Sequence, residues 1–138
     1  TRSLSKLGGL GSKLPITAVC AVIGALTIMG VPPTSGFMGE WMLFYGVLET
    51  ALEQGDDVRS LMFALGLIAT VLTMSYLLWM LKRVFFGKLP ETFSKVKEGS
   101  WYMLSPMMVL AGFTIVVGIY PDIFLQKIMP YMQGVLGG

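Results

Sequence analysis

Four apolar runs, separated by short polar segments, organise the chain. They cover residues 14–30, 38–52, 60–81 and 101–125. The last two runs have the length of about 20 residues that an apolar helix needs to cross a bilayer. The first two are shorter than that, and Pro32 and Pro33 lie between them. The pattern predicts an all-α membrane protein in which the first crossing is interrupted by a Pro-Pro loop.

Pro32, Pro33 and Gly36 make the predicted break. Proline removes a backbone donor and clashes with the preceding turn, so a helix cannot continue undisturbed through this sequence. Lipid cannot satisfy the freed backbone groups, and the break must be buried in protein or line a wet cavity. Thr34 and Ser35 are expected to bond the freed groups or hold water. Broken helices of transporters bind ions at such ends, whereas the plainer alternative is a packing kink.

Two topologies fit the runs. Residues 14–52 form either one interrupted crossing, giving three crossings in all, or two complete crossings, giving four. Lys and Arg prefer the cytoplasmic side. Three crossings place the basic N-terminal segment and the basic loop 82–98 on one side and the predicted acidic loop 49–59 on the other, so we favour three. The predicted parts are a cytoplasmic connector (1–13), an interrupted transmembrane helix (14–52), a transmembrane helix (60–82), a basic cytoplasmic loop (83–100), a transmembrane helix (101–125) and a tail (126–138).

The composition supports a membrane protein and excludes several kinds of chemistry. The chain is 54% hydrophobic and 13% charged, whereas soluble domains carry about 25% charged residues. It has one cysteine, Cys20, and no histidine, which excludes a disulfide framework and histidine metal sites or proton shuttles. The methionines are expected to serve as adaptable packing. No phosphate loop or paired-cysteine motif occurs, so no cofactor or metal is expected in this chain.

Glu40 is the candidate functional residue, because it is the only residue between Lys13 and Glu49 whose side chain is ordinarily charged at neutral pH. We expect it in the first turn of a helix beginning near Phe37, where the helix dipole partly offsets the desolvation of a carboxylate. A nearby cation favours the charged form of a carboxyl group, and withdrawing the cation favours the protonated form. Glu40 would then act in proton transfer. The alternative is a structural acid bonded to the broken backbone or lying near the headgroups.

Lys82 and Arg83 end the run 60–81, and Asp122 follows the last apolar run. The two basic residues could belong to a proton path, but side chains that reach the interface from a helix end are the more common case. We expect all three at the membrane interface.

The sequence LGGLGSKLP, followed by an apolar run and GVPPTSGFMGEW, resembles the antiporter-like subunits of complex I and its relatives. The relatives include Mrp-type cation/proton antiporters and membrane-bound hydrogenases. The resemblance is most specific over residues 7–41. It implies the last three helices of a fourteen-helix subunit, with the broken helix as the twelfth. Glu40 stands where several paralogues carry lysine and the NuoM-like one carries glutamate, so the chain resembles the latter most.

The resemblance implies that Glu40 is the terminal proton site facing the outer exit channel. The family's other proton-path residues belong to helices that this chain does not contain, so it is expected to be a fragment or one piece of an assembly. Its partners would be the rest of the same subunit, other membrane subunits, lipid and protons or Na⁺, and no nucleic acid. The expected place is a prokaryotic cell membrane.

The first functional hypothesis is a proton-translocating subunit of a complex I-like respiratory oxidoreductase, with NADH, F420H2 or ferredoxin as donor. Its redox chemistry would take place in other subunits. Two alternatives stay open, a non-transporting membrane scaffold and an Mrp-type Na⁺/H⁺ antiporter subunit.

Overall fold

The computed structural model describes residues 7–55 and 57–136, without the side chains of residues 54, 124 and 131–136. The described residues form five α-helices and two short 3-10 turns, with no strand among them, which confirms the predicted all-α fold. The helices are α1 (Pro15–Ile28), α2 (Ser35–Gln54), α3 (Asp57–Phe85), α4 (Trp101–Ile119) and α5 (Asp122–Leu136), and the turns are Leu10–Ser12 and Glu91–Phe93.

Helices α3 and α4 are long and apolar enough to cross a membrane, with 29 and 19 residues, whereas α1 is a shorter apolar helix of 14 residues. Only 6% of the most apolar stretch of α3 or α4 is buried within the described chain. Large apolar side chains therefore point outward along α3, among them Leu61, Leu65, Ile68, Leu72 and Tyr76. Such surfaces are typical of helices that lipid or further membrane helices cover.

Helices α1 and α2 pack end to end along α3. The core cluster between α1 and the C-terminal half of α3 consists of Ala25, Met29, Leu77 and Leu81. Further along, Phe44 of α2 packs edge-on against Phe63 of α3, with ring centroids 5.7 Å apart. Phe44 also covers Gly66, where an added Cβ would lie 2.9 Å from its ring. The two helices on either side of the break thus follow successive stretches of one long partner.

Helix α4 runs in the same direction as α1, and α3 runs in the opposite direction. Glu98, just before α4, bonds to the first turn of α1, and Gly118 near the end of α4 lies against Pro33, just beyond α1. The start of α1 lies near the end of α3, since the backbone N–H of Gly9 donates to the Phe86 carbonyl at 3.2 Å. These directions bear on the number of crossings.

The acidic segment 49–59 is not the loop that we predicted from its charges. Helix α2 continues to Gln54, and Gly55 ends it with a left-handed φ of 60°. Helix α3 already begins at Asp57, and Asp56 lies outside the described residues. Carboxylates are tolerated at these helix ends because both ends reach beyond the apolar stretch, and Asp57 lies in the first turn of α3.

Two further predicted boundaries are wrong. The last apolar helix ends at Ile119 instead of residue 125, because Tyr120 and Pro121 interrupt it. Pro121 stands just before α5, and proline is favourable at the start of a helix. The predicted tail is largely this separate helix. The second wrong boundary is the end of the predicted helix 60–82, because α3 continues to Phe85.

The N-terminal segment is the predicted cytoplasmic connector, and its described part is packed against the end of α3. Gly8, Gly9 and Leu10 are buried. A Cβ on Gly8 would lie 2.8 Å from the Lys88 carbonyl oxygen, and one on Gly11 would lie 2.9 Å from that of Phe85. The glycines permit this close backbone contact. Residues 1–6 of the predicted connector, with Arg2 and Lys6, lie outside the described residues.

Candidate functional site at the helix break

The break begins where α1 closes its last turn. The N–H of Met29 donates to the Ala25 carbonyl at 2.9 Å, and that of Val31 donates to the Leu26 carbonyl at 3.0 Å. Gly30 between them has a φ of 60°, the left-handed conformation with which many helices end. The chain then passes through Pro32 and Pro33, which are exposed on the described chain.

Thr34 satisfies the backbone of the break, as predicted. It is only 2% exposed. Its hydroxyl donates to the Val31 carbonyl at 2.7 Å, and its backbone N–H bonds the same oxygen at 3.1 Å. Ser35 is the first residue of α2. The break is therefore a tight turn held by its own residues.

Glu40 lies in the second turn of α2, not in the first turn that we predicted. The prediction placed the helix start near Phe37, but α2 begins at Ser35. The favourable effect of a helix N-terminus falls off after the first turn. The dipole of α2 therefore acts on Glu40 less strongly than the sequence suggested.

The carboxylate of Glu40 lies directly against the backbone of Gly30. A Cβ at position 30 would be 2.6 Å from Cδ of Glu40, so a side chain there would occupy the space of the carboxyl group. Glu40 itself is half-buried. None of the hydrogen bonds described for residues 7–55 and 57–136 joins this carboxylate to the backbone of residues 31–35. The arrangement leaves the carboxyl group beside the break without fixing it as a cap.

Glycines also bring the neighbouring backbones close to the break. A Cβ on Gly36 would lie 2.8 Å from the carbonyl carbon of Thr27 in α1. A Cβ on Gly118 of α4 would lie 2.8 Å from the carbonyl carbon of Pro33. The predicted role of Gly36 is thus extended, since it lets the start of α2 approach the end of α1. Gly118 was not singled out in the sequence.

Lys82 and Arg83 lie near the end of α3, beside the start of α1 and away from the break, and Asp122 lies in the first turn of α5, four residues after Gly118. All three are exposed on the described chain. The guanidinium of Arg83 lies 5.0 Å from the ring centre of Trp79, one turn earlier on α3. A cation over an indole ring at a helix end suits an interfacial anchor.

Glu98 is a site residue that its sequence context did not single out. Its Oε1 accepts from the backbone N–H of Ile16 at 2.7 Å and from that of Thr17 at 3.3 Å. Its Oε2 accepts from the Thr17 hydroxyl at 2.9 Å. The available signal was Leu14, which precedes the first helical proline and cannot cap the helix with its own side chain. Glu98 follows Ile16 by 82 residues, and no local sequence pattern connects the two.

A half-buried carboxylate beside a broken apolar helix is an arrangement found in ion-transporting membrane proteins. Among the residues that the structure describes, no group of three or more His, Cys, Asp or Glu side chains could hold a metal ion.

Comparison with known proteins agrees with this class. Residues 1–55 match the family model described as NADH:quinone oxidoreductase/Mrp antiporter, transmembrane. The chain is 34% identical over 142 residues to the A subunit of the Na(+)/H(+) antiporter of Alkalihalophilus pseudofirmus, covering 99% of this chain and 18% of that protein. It is 33% identical over 134 residues to the A1 subunit of the Na(+)/H(+) antiporter of Staphylococcus aureus, covering 94% of this chain and 17% of that protein. The chain thus spans less than a fifth of these relatives.

The chain belongs to the antiporter-like membrane subunits that complex I and the Mrp antiporters share. It is therefore an integral membrane protein. The relatives favour the antiporter alternative over the complex I-like oxidoreductase that we placed first. The NuoM-like assignment rested on the single position Glu40, whereas these relatives are similar over nearly the whole chain.

Proposed function

We propose that this chain is part of an Mrp-type Na⁺/H⁺ antiporter subunit in which Glu40 takes up and releases a proton beside the broken helix. The observation that carries the proposal is the contact between the Glu40 carboxylate and Gly30 at the break. Broken membrane helices place ionisable side chains where water and ions reach them. The Na(+)/H(+) antiporter relatives support the antiporter class.

The membrane topology that we propose has three crossings, with α1 and α2 as the two halves of the first. If α1 and α2 were separate crossings joined by a hairpin, α4 would run opposite to α1. The two instead run in the same direction, since Glu98 meets the start of α1 and Gly118 meets the break. The end-to-end packing of α1 and α2 along α3 supports the same topology. The break then lies inside the first crossing, level with Gly118 near the end of α4.

The partners that we propose are other membrane subunits of an antiporter complex and the rest of the subunit to which this chain belongs. The outward apolar surfaces of α3 and α4 need cover from lipid or further helices. We place the chain in the C-terminal part of the antiporter-like fold, as its resemblance to that region implies. The cytoplasmic side of residues 1–13 and 83–100 is part of the same proposal.

The experiment uses the complete antiporter complex that contains this chain, reconstituted in vesicles. Sodium-driven proton exchange is measured with a pH-sensitive dye for the wild type and for Glu40→Gln. Removing a proton-transfer group typically lowers the rate by about 100-fold or more, and we expect a loss of that size with normal assembly. Glu49→Gln, an exposed acid on the same helix, is the matched control and should exchange normally. Normal exchange by Glu40→Gln would overturn the proposal.

The second candidate is a subunit of a complex I-like oxidoreductase, since the description of the matching family model names both classes. The subunit composition of the purified complex separates the two. Iron–sulfur or flavin subunits that co-purify, with proton translocation driven by electron transfer, would indicate the oxidoreductase. Exchange driven by a Na⁺ gradient alone would indicate the antiporter.

A further inference from the structure

The first turn of α1 is completed by a residue outside the helix. The first N–H groups of a helix have no partner within it. In α1, Pro15 has no N–H, and the N–H of Ala18 donates to the Leu14 carbonyl at 2.9 Å. Ile16 and Thr17 are left, and both donate to Glu98 Oε1. Glu98 thus satisfies every first-turn donor that the helix cannot satisfy itself.

This cap is stronger than an ordinary one. A charged acceptor forms shorter and stronger hydrogen bonds than a neutral one, and a carboxylate is favoured at the positive end of a helix dipole. The bond to the Thr17 hydroxyl uses the second oxygen, so the carboxyl group is held in one orientation. Glu98 itself is half-buried.

Helix α4 is therefore joined to α1 at both ends. Glu98 lies three residues before the first residue of α4, Trp101, and accepts hydrogen bonds from the start of α1. Gly118, near the other end of α4, lies against Pro33, just past the end of α1. The two contacts set how far α1 reaches along α4.

The position of α1 also sets the position of Gly30. The N–H of Gly30 donates to the Thr27 carbonyl at 3.2 Å, so Gly30 follows the last turn of α1. Gly30 in turn lies against the Glu40 carboxylate. A displacement of α1 along its axis would move Gly30 into that carboxylate or away from it.

We propose that Glu98 is a positioning residue for proton transfer at Glu40, acting by capping α1 and fixing its position along α4. This inference rests on the function proposed for Glu40. Glu98 touches neither the break nor Glu40, and its effect passes through α1. Misplacing a reacting group by about 1 Å is enough to lower a rate substantially.

The test compares Glu98→Ala, Glu98→Gln and Thr17→Val in the complete reconstituted complex. Amide hydrogen exchange of the peptide containing Ile16 and Thr17 reports on the cap. For Glu98→Ala we expect exchange there to be about tenfold faster, the scale of a lost helix cap. We expect the turnover of antiport to fall by about tenfold, because a misplaced reacting group lowers a rate by up to about 100-fold, with an unchanged KM for Na⁺, since Glu98 is not on the ion's path.

The conservative variants should lower the turnover less than Glu98→Ala does. Glu98→Gln keeps an acceptor for the two backbone donors and should recover most of the turnover. Thr17→Val loses only the hydroxyl bond and should show a smaller loss than Glu98→Ala. Glu91→Gln removes an exposed acid from the same loop and should change neither measurement. If Glu98→Ala does not assemble, the other two variants still test the order of the effects.

Several results would overturn the inference. Faster exchange with unchanged turnover in Glu98→Ala would make the cap merely structural, and unchanged exchange would mean that Glu98 does not cap α1. A change in KM alone would place Glu98 on the ion's path instead. If Glu40→Gln transports normally, the proposed function fails, whereas a silent Glu98→Ala beside an inactive Glu40→Gln removes only the positioning role.

Discussion

The α-carbon of Gly30 lies against the carboxyl group of Glu40, and this contact joins the end of one half-helix to the second turn of the next. Position 30 has a φ of 60°, which L-residues with a Cβ rarely adopt. A Cβ there would also lie 2.6 Å from Cδ of Glu40. Both the backbone conformation and the space therefore require glycine.

Gly30→Ala should displace the Glu40 carboxyl group from the break. We expect antiport by the complete complex to fall at least about tenfold, a scale consistent with a misplaced proton-transfer group. Gly39→Ala is the matched control, because a Cβ at position 39 meets nothing within 4 Å and alanine favours a helix. The rates are compared at equal amounts of assembled complex. Equal activity of the two variants would contradict a functional contact between Gly30 and Glu40.

Gly118→Ala should push α4 away from the break. The new Cβ would lie 2.8 Å from the carbonyl carbon of Pro33, and a backbone cannot yield as a flexible side chain can. Overpacking of this kind costs about 1–3 kcal/mol, so we expect the purified complex to lose antiport at a lower temperature. Gly112→Ala on the same helix meets nothing within 4 Å and should match the wild type. Thermal inactivation curves that coincide for both variants would show that α4 does not hold the break.

Thr34→Val should weaken the turn that follows α1. The side chain is buried, and valine keeps its shape but loses the hydroxyl bond to the Val31 carbonyl. Losing such a bond costs about 0.5–1.5 kcal/mol, which would again appear as a lower inactivation temperature. Thr73→Val is the control, since its hydroxyl bonds only the Ala69 carbonyl within α3. An equally large drop in inactivation temperature for Thr73→Val would mean that the Thr34 hydroxyl does not stabilise the break specifically.

The break and the apolar helices were predictable because their causes are local. Two adjacent prolines interrupt a helix wherever they occur, and an apolar run of about 20 residues predicts a membrane helix. The helix ends were less predictable. The acidic residues around Gly55 suggested a loop, yet Glu53 and Asp57 lie on helices that simply extend beyond the apolar stretch.

The contacts that define the site could not be predicted, because they are not local. The sequence shows Gly30 and Glu40 on either side of the break but not that they touch. Glu98 lies in the segment 82–98, which was interpreted only through its net positive charge. The sequence placed the oxidoreductase before the antiporter on the strength of one residue, Glu40. Similarity over nearly the whole chain favours the antiporter instead.

The cap supplied by Glu98 also bears on the order in which the protein is built. Residues 15–28 leave the ribosome long before residue 98, so the start of α1 first enters the membrane region with the Ile16 and Thr17 donors lacking their final acceptor. The start of α1 lies beside the basic end of α3, where water can accept these bonds until residue 98 is made. Synthesis of the segment before α4 therefore supplies the acceptor that completes the first turn of α1.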